Sequence, residues 1–304
     1  MPYFSAQSYY FFVKYQNIFV YFVFFLYFCG LKRMKIGVFD SGYGGLTILE
    51  AIRKRLPEYD YLYLGDNARA PYGTRSFEVI YEYTLEAVRY LQSQGCRLII
   101  LACNTASAKA LRTIQQHDID ASKVRVLGVI RPTVEAVPAI TRNGHVGILA
   151  TPGTVSSESY VIELQKIGNF AISQHACPMW VPLIESGEHL SDGADFFVHE
   201  DINALLEKDP QIDTLILGCT HYPLLMPKIK SQISNLQSQI TIVSQGQLVA
   251  DSLADYLRRH TEIEQDLSRG GSCSYLTTEA AERFADNASM FLAAPKLSAT
   301  TITL

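Results

Sequence analysis

Short apolar runs alternate along the chain with longer stretches in which apolar residues recur every three or four positions. The short runs predict strands over Lys35–Phe39, Tyr61–Leu64, Leu98–Leu101, Arg125–Ile130, His145–Leu149, Thr214–Leu217 and Thr241–Val243. The helical spacing predicts helices over Leu46–Arg55, Phe77–Gln92, Ala106–Gln116, Val155–Lys166, Phe196–Leu206, Leu225–Gln232 and Gln247–His260. Strand and helix in alternation imply βαβ units and a largely parallel sheet, so the fold class is α/β. In such sheets ligands sit at the carboxyl ends of strands. The strand-to-helix junctions are therefore where chemistry is sought.

The pattern also repeats. Ile36-Gly37-Val38-Phe39-Asp40-Ser41-Gly42 resembles Val146-Gly147-Ile148-Leu149-Ala150-Thr151-Pro152-Gly153, and Leu98–Thr105 resembles Thr214–His221. Both pairs run in the same order at nearly the same spacing. The expectation is two similar α/β domains, each a mostly parallel sheet flanked by helices, facing each other across a cleft. The 304 residues agree with a prior of about two domains. The expected division is residues 34–130 plus 243–304 for one domain and 131–242 for the other.

Composition changes the picture at one place. Residues 1–33 hold 14 of the 34 aromatic residues, three basic residues and no acid. Their longest apolar run, Ile18 to Cys29, falls short of the roughly 20 residues a spanning helix needs. No small-x-small cleavage site follows it. This segment reads as a non-native or misassigned start with Met34 as the initiator, a signal anchor and a disordered or partner-binding extension being the alternatives. The other 271 residues carry 23 basic against 30 acidic side chains, a formal charge of −7. That argues against a general nucleic-acid binder, which needs clustered Lys and Arg.

The six cysteines, at 29, 96, 103, 177, 219 and 273, contain no C-x-x-C motif. Without a secretory signal or a disulfide framework, the expected compartment is the reducing cytoplasm. Cys29, Cys96, Cys177 and Cys273 read as small buried apolar residues. Cys103 and Cys219 differ. Each follows a short apolar strand and one small residue, Ala102 or Gly218, and precedes polar residues that lead into a helix. Helix starts favour thiolate, and the small residue leaves room for a ligand. Three readings fit: two buried cysteines, a zinc site with His221 and Asp40, or a pair of acid/base groups on opposite faces of a chiral carbon. In the third, one thiolate takes the Cα proton and the other thiol returns one.

Around these thiols, Asp40-Ser41-Gly42-Tyr43-Gly44-Gly45 is Gly-rich but is neither G-x-G-x-x-G nor a P-loop. Its N–H groups suit a small carboxylate. Asp40 is a proton acceptor, an ammonium partner or a helix cap. His221 is poised to tune Cys219 or to hold substrate, or is simply structural. Pro71-Tyr72-Gly73 is a turn signal. No lysine occupies a comparable junction, which gives no support to a pyridoxal-phosphate Schiff base. No metal or cofactor is expected.

Five stretches together resemble glutamate racemase, within the aspartate/glutamate racemase superfamily. They are Gly37–Leu46, Gly65–Gly73, Ala102-Cys103-Asn104-Thr105-Ala106-Ser107-Ala108, Val181-Pro182-Leu183-Ile184-Glu185 and Leu217-Gly218-Cys219-Thr220-His221-Tyr222-Pro223-Leu224. The resemblance implies a cofactor-independent enzyme that interconverts L- and D-glutamate for peptidoglycan. It implies Cys103 and Cys219 as the acid/base pair, with Asp40 assisting the first and His221 the second. It implies glutamate binding by Asp40, Ser41, Tyr72, Gly73, Asn104, Thr105, Thr220 and His221, an acid near the site at Glu185, and a homodimer. The chain departs from the family pattern at Asn67-Ala68-Arg69-Ala70-Pro71 and at Arg131-Pro132.

Overall fold

A computed structural model of the chain describes residues 34–236, 239–292 and 297–304. The reading of residues 1–33, and with it Cys29, lies outside the described residues. Among the described residues ten strands form two sheets. The first has the order β10-β9-β2-β1-β3-β4, from β1 (Ile36–Asp40), β2 (Tyr61–Gly65), β3 (Leu98–Leu101), β4 (Arg125–Gly128), β9 (Cys273–Thr277) and β10 (Ala299–Thr301). The second has the order β6-β5-β7-β8, from β5 (His145–Ala150), β6 (Ala171–Ala176), β7 (Thr214–Gly218) and β8 (Thr241–Val243). All the pairings are parallel.

The sequence repeat is a repeat of topology. The order β2-β1-β3-β4 has the same succession as β6-β5-β7-β8, and the repeated segments are the pairs β1/β5 and β3/β7. Only the first sheet is extended, by β9 and β10. Because helices cover both faces, β1, β2, β3 and β7 are buried at every position and read as unbroken apolar runs.

Seven strands lie where the apolar runs predict them, with small shifts of the ends. The largest is β4, which stops at Gly128 because Ile130 opens a helix, Ile130–Ala136. Three strands go beyond the predicted set. β6 reads AISQHA, a half-buried edge strand with polar Ser173, Gln174 and His175. β9 and β10 are recruited to the first sheet by the returning C-terminal segment. The helix predicted over Ala106–Gln116 begins earlier, at Asn104, and is broken after Lys109.

The chain crosses between the sheets twice, after β4 and after β8. The second crossing runs into the helix Gln245–Arg259, which packs on the helix Gly45–Arg55. The contact is close: a Cβ on Gly246 would come within 3.1 Å of the Ala51 Cβ. One apolar cluster runs continuously from Ile36, Val38 and Leu46 under the first sheet to Leu149, Trp180, Leu217 and Tyr222 under the second. The two sheets are thereby held with their strand ends facing a common cleft.

Candidate active site

The cleft has about 570 Å³ of empty space, its mouth included. Ser41 lines it from the end of β1, Cys103 from β3, Thr151 from β5, Cys177 from β6 and Cys219 from β7. Tyr72, Gly73, Asn104, Thr105, Glu185, Thr220 and His221 complete the polar wall. Nine of the ten catalytic or substrate-binding candidates face one cavity. The tenth, Asp40, is fully buried and lies behind the wall rather than on it.

Asp40 accounts for the Gly-rich turn. Its Oδ2 accepts from the Gly42 N–H at 2.9 Å, and the Gly45 N–H also bonds to the carboxylate. These N–H groups are turned inward, so they do not form the expected outward cradle. Asp40 thus ties the turn together from within, although the N-cap position of the following helix is Gly44, and its charge bears on Cys103. Thr220 Oγ1 lies 3.5 Å from Asp40 Oδ1, joining the turn to the opposite sheet. Gly44 is the closest approach. A Cβ there would meet His221 Nδ1 and Thr220 Oγ1 at 2.4 Å each.

Cys103 caps the helix Asn104–Lys109. Its Sγ accepts from the Ala106 N–H at 3.5 Å and lies 3.3 Å from Ser41 Oγ. The expectation that this helix start yields a thiolate does not hold. Burial, then the Asp40 charge, push the Cys103 thiol up to about 12, against the smaller pull of Ser41 and Ala106. Nor does the small residue before each thiol admit a ligand. Ala102 is fully buried, and a Cβ on Gly218 would come within 3.0 Å of Ala150 Cβ. Both are small for packing.

Cys219 has a different neighbourhood. Its Sγ is 3.8 Å from His221 Nδ1, and His221 Nε2 is 2.9 Å from Glu185 Oε1. The segment after Cys219 is a tight turn, Tyr222–Leu225, before the helix Met226–Asn235. His221, not a helix terminus, is therefore the positive group beside this sulfur. Burial lowers its affinity for a proton. Hydrogen bonds to Cys219 and Glu185 outweigh that and raise it well above the ordinary value. With both ring nitrogens engaged, His221 is fixed in place.

Tyr72 donates its hydroxyl to Asp66, which also accepts from Thr278 at 2.8 Å and from Arg69 at 2.7 Å. Gly73 approaches the second sheet through Gly153, whose N–H donates to the Gly73 carbonyl at 2.7 Å. Thr105 Oγ1 lies 3.0 Å from Thr151 Oγ1. Among the described residues no group of three or more His, Cys, Asp and Glu is set to hold a metal ion.

Several site residues were not singled out from sequence. Thr151 occupies the repeat position of Ser41, so the repeat carried its signal. Tyr160 and Gln245 hold Asn104 from behind, and no local pattern marks them. Cys177 lines the cavity, yet burial pushes its thiol well above the usual range, in keeping with an inert packing role.

A family model described as Asp/Glu/Hydantoin racemase matches residues 46–253. A glutamate racemase of a Ruegeria species is 44% identical over 271 residues, covering 85% of this chain and 97% of that protein. The chain belongs to the Asp/Glu/hydantoin racemase family. Solved members of the family share its architecture. A glutamate racemase isoform from Bacillus anthracis superposes with a TM-score of 0.80 at 33% identity, over 90% of this chain and 98% of that one. The glutamate racemase of Francisella tularensis in complex with D-glutamate gives 0.78 at 29% identity, over 89% and 98%.

Proposed function

We propose that the chain is a cofactor-independent glutamate racemase that works by two-base proton transfer. The observation that carries this reading is the pair of thiols, Cys103 and Cys219, which line one cavity from the ends of β3 and β7 in different sheets. A carbon held between them is accessible to one sulfur on each face. One thiolate takes the Cα proton, the electron pair passes into the α-carboxylate, and the other thiol delivers a proton to the opposite face. The enzyme is left with the two sulfurs' protonation exchanged, ready for the reverse direction. Two thiols suffice for these steps, so none requires a cofactor.

The barrier is the weak acidity of Cα–H. A thiol of ordinary pKa near 8.5 is a poor base for it. Catalysis then depends on donors already aligned on the carboxylates in a dry cleft. Ser41, Asn104, Thr105 and Thr220, with the Tyr72–Gly73 turn, are the groups proposed to bind glutamate. Asp40 is proposed to assist Cys103, and His221 to assist Cys219.

Further parts of the reading are that the D-glutamate formed supplies peptidoglycan synthesis, that the enzyme works in the cytoplasm where its thiols stay reduced, and that it is a homodimer. Among the described residues no helix is long and apolar enough to cross a membrane. Light scattering tests the dimer. Circular dichroism of L- and D-glutamate incubated with metal-free protein tests the activity. Loss of optical activity from either enantiomer, with solvent deuterium at Cα, is expected. Stable optical activity overturns the reading, as does full turnover by Cys103→Ala or Cys219→Ala.

A further inference from the structure

Gln245 opens the helix Gln245–Arg259, a position where an amide normally meets solvent, yet only 4% of it is exposed. Its side chain turns inward onto Asn104 in a reciprocal amide pair. Asn104 Nδ2 donates to Gln245 Oε1 at 2.6 Å, and Gln245 Nε2 donates to Asn104 Oδ1 at 3.1 Å. The Tyr160 hydroxyl donates to the same Oδ1 at 2.7 Å. Gln245 Nε2 also reaches the Tyr160 hydroxyl oxygen at 2.8 Å and Thr133 Oγ1 at 3.0 Å.

These bonds decide which way the Asn104 amide points. Flipping it against the present Gln245 amide would set NH2 against NH2 and carbonyl oxygen against carbonyl oxygen. In this orientation Oδ1 faces the Tyr160 hydroxyl and the Gln245 NH2 group, and one of the two Nδ2 hydrogens is spent on Gln245 Oε1. One Nδ2 hydrogen remains. Of the four side chains in this network, only Asn104 lines the cavity, next to Cys103.

We propose that Gln245 is a positioning residue for racemisation: it locks the Asn104 amide so that the remaining N–H is presented to the cavity as a fixed donor for a substrate carboxylate. The inference rests on the racemase reading above. It also explains why the donor is held from this point of the chain. Thr133 follows the first crossing between the sheets, and Gln245 follows the second. The donor's direction is thus fixed by both connections at once, and it is set before substrate arrives, as carboxylate stabilisation requires.

The test is a double-mutant cycle in the full chain, with kcat and KM measured for both enantiomers. Gln245→Ala is expected to lower kcat about tenfold or more, with a smaller change in KM. Added to Asn104→Ala, it is expected to cost little further, because it acts through that side chain. Independent, multiplying losses overturn the proposal. Gln245→Glu carries the test should the alanine variant fail to fold. It keeps the acceptor for Asn104 but loses the donor when ionised, so its kcat relative to the parent chain rises toward acid pH. A ratio flat with pH overturns the proposal. A parent chain that does not racemise glutamate overturns the proposed function instead, and the positioning is then read by NMR. The Asn104 side-chain amide proton bonded to Gln245 Oε1 is expected to exchange slowly in the parent and fast in Gln245→Ala. Fast exchange in the parent overturns the lock.

Discussion

Cys219 Sγ and His221 Nδ1 lie 3.8 Å apart, and the far nitrogen of the same ring is 2.9 Å from Glu185 Oε1. The bonds to Cys219 and Glu185 raise the proton affinity of His221 well above its ordinary value, against the pull of burial. The second thiol therefore has a buried cation beside it, while Cys103 has the buried carboxyl of Asp40 within its field. Two sulfurs related by an internal repeat are given opposite electrostatic neighbours.

Glu185→Gln tests the cation. Removing the carboxylate's charge lowers the pH at which His221 gives up its proton. A histidine whose pKa is raised by folding contributes stability that is full below its unfolded value, about 6.5, and is lost as pH rises through the folded value. The variant is therefore expected to melt earlier than the parent near pH 6. That gap closes as pH climbs through the parent's folded value. Melting curves from pH 6 to 9, with an NMR titration of the ring, check this. A His221 signal that titrates at the parent's pH refutes it.

Asp40→Asn has the opposite sign. Burial raises the Asp40 pKa, against the pull of His221 and the Gly42 and Gly45 N–H groups. A carboxyl raised by folding contributes stability below its unfolded value of 3.8 and loses it as pH rises through the folded value. At pH 8 the parent bears this cost and the amide does not. Asp40→Asn is expected to raise Tm at pH 8, with the gain fading toward pH 4, while activity falls about a hundredfold. Calorimetry at the two pH values decides it; an equal shift at both is the contrary result.

The contrast between these residues shows what was legible in the sequence. Cys103 and Cys219 each end an apolar run buried on both faces, so period and length alone mark the junctions. The sheet strands that escaped, β6, β9 and β10, are peripheral. β6 is a half-buried edge strand with polar residues, and β9 and β10 join the first sheet from a segment far along the chain from β2. Thr151 was recoverable from the repeat. Gln245 was not, because its partner Asn104 lies 141 residues away and a buried amide pair leaves no periodic trace. The ionisation of Cys103 is not legible in the sequence for a related reason: the turn geometry is local, but the burial that overrides it is tertiary.

Gly44→Ala is expected to disable the site without unfolding the protein. The backbone at Gly44 has φ −57°, which any residue adopts, so conformational freedom is not the issue. Space is: the new methyl would lie 2.4 Å from His221 Nδ1 and from Thr220 Oγ1. The β1 turn must then move away from the Cys219 side of the cleft. A displacement of that kind costs about a hundredfold in kcat/KM. Unchanged far-ultraviolet circular dichroism with normal kinetics speaks against the contact.

Cys103 offers a direct measure of its own field. Its thiol is pushed up to about 12, first by burial and then by Asp40, while Ser41 Oγ at 3.3 Å and the Ala106 N–H at 3.5 Å pull weakly the other way. Only the thiolate reacts with iodoacetamide, and far below the pKa its fraction grows about tenfold for each pH unit. Burial slows the reaction at every pH but leaves that slope intact. Peptide mapping by mass spectrometry in ligand-free protein is expected to show Cys103 labelling rise about tenfold per unit from pH 7 to 9, with no plateau. In Asp40→Asn the negative neighbour is gone, so labelling at a fixed pH becomes faster. A plateau near pH 8 in the parent chain, or equal rates in the two proteins, would remove Asp40 from its place beside the first thiol.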